Sequence, residues 1–485
     1  MAKITTIIDI GSNSMRMVVF KKTSRFAFHL IHESKSKVKI SEGCYENNNN
    51  LQEIPMQRAF DALKSFLNIA SNLKSRKILC VATSALRDAP NKKVFLSKVS
   101  KELKLNIKVI DGTKEAYFGG IAALNLLPHK SFTTLDIGGG STEFAFINDK
   151  NITSTISLKI GTIRIKELFY DKNNLTEAKK YIENELKKID QNSIENIVGL
   201  GGTARALSRI ILQSQDYPID TVHGFEYKYD NYSKLFDEII NASTTKELKK
   251  LGVAKDRYDT ISVGTFIFKT ILEYFDVKNI ITSGVGVREG VYLSDLLRNS
   301  NYKFPANFNI GVRSLLDRFV DDDKQSAYLG NNARKIFDTL APLHQLDIKY
   351  RSILVIASKL QLVGVSLNFE KNTEHAFWYI LNGLNYNFTH QDKVLVAIVS
   401  RFTTKSLPTK KDIKLYKSLL PNLDTIRWLN FMMSLNIALN SEFAKVPFEY
   451  SLEDNILTIT SPSNMYLVKR AILKLETPVE LEIRL

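Results

Sequence analysis

The chain of 485 residues is long enough for two to four domains that each bury a core, and its composition (44% hydrophobic, 24% charged) is typical of a globular protein. Its two cysteines, Cys44 and Cys80, exclude a disulfide framework and a cysteine-based metal site. Neither a signal-peptide pattern nor the ~18 apolar residues of a membrane helix is present. We therefore expect a cytoplasmic protein with no membrane partner.

The positive charge is concentrated near the start of the chain. Residues 1–130 contain 22 Lys and Arg against 10 Asp and Glu, a net of +12 out of the total of +16. A concentrated positive field attracts polyanions. Charge alone does not show whether the partner is nucleic acid, an acidic membrane or polyphosphate. It is equally compatible with a basic surface that contacts only water.

Two similar strand–turn–strand units occur in the first 300 residues. Predicted strands lie at 3–10, 15–20, 132–137 and 142–147, with further strands at 78–82, 107–110 and 196–199 and helices at 54–73, after Glu115, at 177–189 and at 203–212. Asp9 and Asp136 end the first strand of each unit, 127 residues apart. This repetition, with alternating helices and strands, predicts a duplicated α/β domain.

The pattern changes near Pro305 to long helical segments. Helices are predicted at 334–340, 352–363, 376–384, 394–401 and 423–439, followed by strands at 448–451, 456–459 and 479–485 and a helix at 465–475. This order predicts an all-helical domain followed by a small β-β-α-β domain.

Three glycine turns are suited to binding phosphate. Consecutive N–H groups in such a turn form an anion-binding nest, and a carboxylate just before it suits a hard cation such as Mg²⁺. The turns after Asp9 and Asp136 share this design, whereas the turn at 199–203 leads into a helix N-terminus and lacks the Lys-Ser/Thr of a P-loop. One such turn is more typical of a plain hairpin, but two copies favour a ligand site.

Seven segments together resemble the exopolyphosphatase/guanosine pentaphosphate phosphohydrolase (Ppx/GppA) family in its long form. They are DIGSNS at 9–14, ATSALRDAPN at 82–91, DGTKEA at 111–116, DIGGGSTE at 136–143, SLKIGTIR at 157–164, GLGGT at 199–203 and SGVGVREG at 283–290. The resemblance implies an α/β fold class with duplicated actin-like (ribonuclease H-like, ASKHA) domains at 1–124 and 125–304. It further implies an all-α HD-like domain at 305–445 and a small α+β C-terminal domain at 446–485.

The resemblance also implies roles for individual residues. Glu115 matches the catalytic glutamate that activates water, and Glu143 matches a second catalytic carboxylate that helps to hold metal. Asp9 and Asp136 would be metal carboxylates for Mg²⁺, with a monovalent cation as an optional second ion. Phosphate binding is implied for Gly11, Ser12, Asn13, Arg87, Gly138, Gly139, Gly140 and Ser141, and nucleoside or distal phosphate binding for Gly201, Gly202 and Thr203. Without the resemblance, Glu115 would be interpreted as an exposed glutamate at a helix start.

The helical domain departs from the HD pattern. The positions that would align with HD metal ligands are Ala327 and Gln361-Leu362. His375 remains, but a lone histidine is more typical of a core or surface residue. We therefore expect a structural or substrate-guiding role there, without a second catalytic metal.

The leading hypothesis is an exopolyphosphatase that processively removes terminal phosphate from inorganic polyphosphate. A guanosine pentaphosphate 5′-phosphohydrolase, or both activities together, is the alternative. A regulator that binds a guanosine alarmone without hydrolysis is disfavoured by the intact Glu115, Asp136 and Glu143, and an ATPase or sugar kinase by the segment around Glu115. The resemblance also implies a homodimer, and we expect no nucleic-acid partner.

Lys35, Lys37 and Lys39 follow the first hairpin and are predicted to form a track for the polymer. Each phosphate contact releases counterions, so affinity for long polyphosphate should fall more steeply with salt than affinity for guanosine pentaphosphate. The Lys35/Lys37/Lys39→Ala variant should reduce the slope for the long chain, measured as affinity against salt concentration. Equal slopes for the two ligands, unchanged by the substitutions, would contradict the track.

Overall fold

The computed structural model describes residues 3–402 and 406–485. The chain forms two compact units, Met1–Asn307 and Phe308–Leu485. In the described residues, no helix has both the length and the apolar character needed to cross a membrane.

The first unit contains two sheets covered by helices. The strands are β1 (Ile4–Ile10), β2 (Met15–Lys22), β3 (Phe28–Ser36), β4 (Lys77–Ala82), β5 (Ile107–Val109), β6 (Phe132–Ile137), β7 (Thr142–Asn148), β8 (Asn151–Leu158), β9 (Asn196–Gly199), β10 (Phe225–Lys228) and β11 (Asn279–Thr282). The helices are α1 (Glu53–Asn72), α2 (Ser84–Asp88), α3 (Lys92–Leu103), α4 (Gly112–Leu126), α5 (Thr162–Leu168), α6 (Leu175–Leu186), α7 (Gly201–Ser214), α8 (Ser233–Asn241), α9 (Thr245–Lys250), α10 (Ile261–Tyr274) and α11 (Val287–Leu296).

The two sheets repeat one topology. The first sheet has the order β3-β2-β1-β4-β5, and the second, read from its other edge, has the order β8-β7-β6-β9-β11-β10. In each, an antiparallel three-strand meander is followed by a parallel neighbour of the first strand, β4 beside β1 and β9 beside β6. The sheets thus show the duplicated α/β architecture that the two strand–turn–strand units predict.

The central strands are buried on both faces, because each sheet is covered by helices. In β1, Ile7, Ile8 and Ile10 are fully buried, which matches the continuous apolar run expected of such a strand. The edge strand β3 was missed by the sequence analysis, since its sequence FHLIHESKS is largely polar and only its first residue is fully buried.

Helices α4 and α11 cross between the two halves of the first unit. Gly120 of α4 lies against the second sheet, where an added β-carbon would be 3.0 Å from Ala145. Tyr292 of α11 packs its ring on Phe20 of the first sheet, with ring centres 4.5 Å apart. The domain boundary predicted at 124/125 therefore falls within α4, a helix that joins the halves.

The second unit is helical with a small sheet. Its elements are α12 (Ile310–Phe319), α13 (Asp323–Thr339), α14 (Ala341–His344), α15 (Lys349–Leu360), α16 (Asn372–Gly383), α17 (His390–Arg401), α18 (Leu423–Leu439), β12 (Glu449–Glu453), β13 (Ile456–Thr460), α19 (Tyr466–Ile472) and β14 (Glu482–Arg484). The small sheet has the order β12-β13-β14.

The predicted helix at 423–439 has the same bounds in the structure as α18, whereas the other predicted elements of this unit differ from the observed ones at one or both ends. The helix predicted at 334–340 begins much earlier, at Asp323, because Asp322 caps it by accepting hydrogen bonds from the N–H groups of Lys324 and Gln325. The strand predicted at 479–485 is shorter, since only Glu482–Arg484 pairs with β13.

The crossing of α4 and α11 depends on Gly290. A β-carbon there would lie 1.8 Å from the backbone oxygen of Phe118, so Gly290→Ala must push the two helices apart. We expect it to lower the free energy of unfolding by about 3 kcal/mol, measured by urea denaturation. Gly286→Ala is the control, because its nearest contact would be 3.6 Å from the Arg205 side chain. Equal stability of the two variants would contradict the close crossing.

Candidate active site

The two glycine turns predicted to bind phosphate have the same construction. The N–H of Gly11 donates to the carbonyl of Ser14 at 3.3 Å, and the N–H of Gly138 donates to that of Ser141 at 2.9 Å. A β-carbon on either glycine would be 3.1 Å from that carbonyl oxygen, so the tight turn favours glycine. Both turns line one cleft between the two sheets of the first unit.

The second turn has its carbonyl groups held from behind by the start of α5. The N–H of Thr162 donates to Gly138 O at 2.9 Å, that of Ile163 to Gly139 O at 2.8 Å, and Arg164 Nε to Gly140 O at 2.8 Å. Among the described residues, the N–H groups of residues 139–141 find no protein acceptor. Three such consecutive donors constitute an anion-binding nest.

Asp9 and Asp136 end equivalent strands inside the cleft. In the hairpin registers, Asp9 lies opposite Arg16 and Asp136 lies opposite Glu143. Burial raises the pKa of Asp9 to about 6, although Arg288 and Arg16 oppose that rise. Burial also raises the pKa of Asp136, against the effect of Arg205. Both carboxylates are therefore desolvated in a strongly cationic environment.

Glu115 and Glu143 form a buried pair in the same cleft. Asp111 caps α4 by accepting from the N–H of Lys114, which places Glu115 in the first turn. Glu115 is only 9% exposed and Glu143 2%, so Glu115 is not the exposed helix-start glutamate that sequence alone would suggest. Burial, together with the neighbouring Glu143, raises the pKa of Glu115 well above its usual range, and burial raises that of Glu143 to about 7.

Arg87 links the glutamate pair to the phosphate-binding turn. Its Nη1 donates to Glu115 Oε2 at 3.0 Å, and its Nη2 donates to Ser141 Oγ at 3.2 Å. Ser157 Oγ donates to Glu143 Oε1 at 2.7 Å from the other side. These bonds fix both carboxylates relative to the turn, so their oxygens are positioned before any ligand binds.

Four arginines that the sequence analysis did not assign also line the cleft: Arg16, Arg205, Arg257 and Arg288. Arg205 donates to the carbonyls of Ser283 and Val285, and Arg288 donates to Glu33 Oε1 at 2.7 Å. Arg16 could have been suspected, because it follows Asp9 by the same seven residues that separate Glu143 from Asp136. Arg257 is far in sequence from every glycine motif and carries no signal of its own.

The third turn completes the cleft wall. Gly201, with φ +70°, passes so close to Asp136 that a β-carbon would be 2.4 Å from its Oδ1. Gly202 similarly makes room for Arg257, because a β-carbon on Gly202 would be 2.4 Å from the Nη1 atom of Arg257. Within the described residues, Arg257 forms no ion pair with a carboxylate. Its charge is therefore available to an anionic ligand beside Thr203, which also lines the cleft.

The structure thus brings nearly all the predicted site residues to one cleft. The lining includes Asp9, Gly11, Ser12, Asn13, Glu115, Asp136, Gly138, Gly139, Ser141, Glu143, Gly201, Gly202 and Thr203. Gly140 contributes its N–H to the nest but is outside the cleft lining, and Arg87 acts through Glu115 and Ser141.

The three lysines of the predicted polyphosphate track are paired with carboxylates of the second half. Lys35 Nζ lies 2.9 Å from Asp256 Oδ2, and Lys37 and Lys39 lie 2.7 Å and 3.8 Å from Asp259 Oδ2. A polymer would have to compete with these carboxylates. Asp256→Asn/Asp259→Asn is therefore the control for the triple lysine variant, since it removes the pairs and keeps the lysines.

The raised pKa of Glu143 predicts an effect on stability. The folded state binds the Glu143 proton more tightly than the unfolded chain, so stability is lost as pH rises from about 4.5 toward about 7. Glu143→Gln removes this loss and should raise Tm at pH 8 but much less at pH 5. The exposed Glu102→Gln serves as control, and an equal Tm change at both pH values for Glu143→Gln would contradict the assignment.

Comparison with known proteins identifies the family to which this chain belongs. The model of the Ppx/GppA phosphatase family matches residues 18–299. The chain is 25% identical over 484 residues to the guanosine-5′-triphosphate,3′-diphosphate pyrophosphatase of Photobacterium profundum, covering 94% of this chain and 91% of that protein. It is 32% identical over 295 residues to a bifunctional 3-dehydroquinate synthase/phosphatase of Fusobacterium nucleatum, covering 57% of this chain and 44% of that protein. The chain thus spans less than half of that second relative.

Solved structures agree with this match. The Aquifex aeolicus member of the Ppx/GppA family is 29% identical with a TM-score of 0.53, covering 62% of this chain and 99% of that one. An exopolyphosphatase from Cytophaga hutchinsonii, 23% identical with a TM-score of 0.57 over 62% of this chain and 100% of that one, shows the shared fold. These neighbours confirm the duplicated actin-like fold of the first unit. With the family model matching more than half of its residues, the chain belongs to the Ppx/GppA phosphatase family.

Proposed function

We propose that this phosphatase is an exopolyphosphatase that hydrolyses the terminal anhydride bond of inorganic polyphosphate. One observation carries the proposal: the N–H nest of residues 139–141 opens onto the same cleft as the buried pair Glu115 and Glu143. Phosphoryl transfer needs an in-line water, a group to orient it and neutralisation of charge on the phosphate oxygens. In this cleft, the nest and the arginines offer donors for the phosphate oxygens, and the glutamate pair offers acceptors that can orient a water.

The glutamate pair is suited to proton removal. Burial raises the pKa of both carboxyl groups, and Glu143 adds to the rise at Glu115. Neighbouring carboxyl groups of this kind ionise in separate steps, so the pair holds one proton over a range in which the other carboxylate is a base. Because Arg87 is bonded to Glu115 Oε2, it favours the ionised form of that residue. We therefore assign water activation to Glu115 and orientation or proton sharing to Glu143.

The arginines are suited to the substrate's negative charge. Arg16, Arg205, Arg257 and Arg288 line the cleft, and guanidinium groups bind phosphate through paired N–H donors. The phosphates beyond the scissile bond would lie along them. The lysine track remains a prediction for the more distant part of a long chain.

The site residues also suit Mg²⁺. Among the described residues, no three His, Cys, Asp or Glu side chains form a metal site. Mg²⁺, however, is commonly bound by one or two carboxylates with water and substrate phosphates, and Asp9 and Asp136 are such a desolvated pair. We propose that these two residues hold it, with Glu143 beside Asp136 in the register. Bound Mg²⁺ would neutralise charge on the phosphate oxygens. No residue is assigned to a monovalent cation.

Guanosine pentaphosphate is the second candidate substrate. The unpaired Arg257 and the third glycine turn at the N-terminus of α7 could accommodate a nucleoside polyphosphate. The relative that aligns over 94% of this chain is named for that substrate class. A non-hydrolysing alarmone regulator would not require the buried glutamate pair, which makes it the weaker proposal.

We also propose that the helical region is HD-like without its metal ligands. Ala327 lies in α13, Gln361-Leu362 in the turn after α15, and His375 in α16. Cytoplasmic location and a homodimer, with no nucleic-acid partner, stay predictions. Both cysteines are free and buried, which is compatible with a reducing compartment.

Glu115→Gln provides the direct test of the reaction. It retains the shape of the side chain but removes the base, so turnover of long polyphosphate should fall by about 10²–10⁴-fold while polyphosphate binding persists. Phosphate release and filter binding, each with and without Mg²⁺, measure the two quantities. Running guanosine pentaphosphate in parallel identifies the preferred substrate.

The exposed Glu102→Gln is the matched control and should behave as the wild type. Near-normal turnover by Glu115→Gln would contradict the assignment of the base. A wild-type protein that binds both substrates and hydrolyses neither would favour the alarmone regulator.

A further inference from the structure

Tyr45 is a half-buried tyrosine beside the second phosphate-binding turn, with no role in the proposed reaction so far. It lies between β3 and α1, and the Arg164 guanidinium stacks over its ring at 4.5 Å. Its Oη is buried and, among the described residues, forms no hydrogen bond of normal geometry, although the Ser12 and Ser41 hydroxyls lie near it. This oxygen lies 2.4 Å from the point that a β-carbon on Gly140 would occupy.

Two serine hydroxyls lie around the same point. Ser84 Oγ is 2.3 Å and Ser12 Oγ 3.3 Å from the β-carbon position of Gly140, and the two serine oxygens are hydrogen-bonded at 3.0 Å. Both serines line the cleft, whereas Tyr45 does not. The tyrosine hydroxyl therefore approaches the serine pair from outside the cleft lining.

An unsatisfied buried hydroxyl is costly, because phenylalanine would fill the same space without losing hydrogen bonds to water. Such a group calls for a partner that exists in another state of the site. The serine pair supplies that partner when an anion is bound. In the ligand-free cleft one serine donates to the other, but a phosphate oxygen is a stronger acceptor and draws serine hydrogens toward itself.

A serine oxygen that turns its hydrogen to the phosphate needs a new donor. Tyr45 Oη and Ser84 Oγ lie 2.4 Å and 2.3 Å from the same β-carbon position of Gly140, so the tyrosine hydroxyl is a close neighbour of the serine oxygen and can donate to it after a small shift. We propose that Tyr45 is a positioning residue that donates to Ser84 Oγ in the phosphate-bound state and thereby holds the serine hydrogens on the bound phosphate. The inference rests on the proposed function in one respect, namely that the cleft binds a phosphate group.

The surroundings of Tyr45 support a donor role. Burial raises the pKa of Tyr45, so the phenol keeps its proton at neutral pH. Arg164 is itself fixed, since it donates to Gly140 O at 2.8 Å and to Asp88 Oδ2 at 2.9 Å. The ring that stacks on Arg164 is thus held against the same turn that binds the anion.

Tyr45→Phe removes only the hydroxyl. We expect inorganic phosphate to bind about tenfold more weakly by calorimetry, and kcat/KM for polyphosphate to fall by a similar factor. Tm of the phosphate-free protein should stay unchanged or rise, because the lost hydroxyl has no partner in that state. Tyr227→Phe is the matched control: Tyr227 Oη is also buried without a partner, but it lies in β10, outside the cleft lining.

A double-mutant cycle tests whether Tyr45 acts through Ser84. In a Ser84→Ala background, Tyr45→Phe should change phosphate affinity by less than about twofold, because its partner is gone. An unchanged affinity for Tyr45→Phe, or an equal loss in both backgrounds, would overturn the proposal.

The phosphate measurements separate this proposal from the proposed function. If the wild type binds phosphate but hydrolyses neither polyphosphate nor guanosine pentaphosphate, the function fails and the binding data still decide the role of Tyr45. If the wild type hydrolyses and Tyr45→Phe matches it in affinity and kcat/KM, only the Tyr45 proposal fails. A wild type that neither binds phosphate nor hydrolyses either substrate overturns both.

Discussion

The desolvation of four carboxylates in one cleft is the constraint on which the rest of the first unit depends. Asp9, Asp136, Glu115 and Glu143 all lose water on folding, and their pKa values rise as a result. A lone buried charge is strongly unfavourable, so such a group requires either a proton or a nearby cation. The arginines around the cleft offset part of this cost, and a bound cation would offset more.

The same constraint accounts for the way the cleft is built. Arg87 and Ser157 hold the two glutamates by hydrogen bonds, and the start of α5 holds the carbonyls of the second glycine turn. The α5 contacts engage the carbonyls of the turn and leave its N–H groups for a phosphate, while the two glutamates are held with their carboxylates in the cleft lining. Electrostatic stabilisation of this kind is effective because the donors need no rearrangement when charge develops.

The basic residues within 1–130 do not all act in the same place. Part of their charge lies at the cleft, in Arg16 of the lining and in Arg87 behind Glu115, while Lys35, Lys37 and Lys39 pair with Asp256 and Asp259 of the second half. Exposed ion pairs contribute little to stability, so these pairs are open to competition by a polyanion. Whether a long chain displaces them is decided by the relative strength of the phosphate contacts.

Sequence by itself determined the duplication, the two phosphate-binding turns and the family, because each depends on local patterns such as Asp-Ile-Gly at strand ends. It could not place Arg257 or Tyr45, which carry no motif and reach the site only through the packing of distant segments. Tertiary packing also determined how Glu115 is interpreted. From sequence, a glutamate just after a helix cap is expected to be exposed, but in the structure Glu115 is buried. Likewise, only the structure shows that Lys35, Lys37 and Lys39 form ion pairs with carboxylates that are distant in sequence. These properties depend on long-range contacts, which tertiary structure alone supplies.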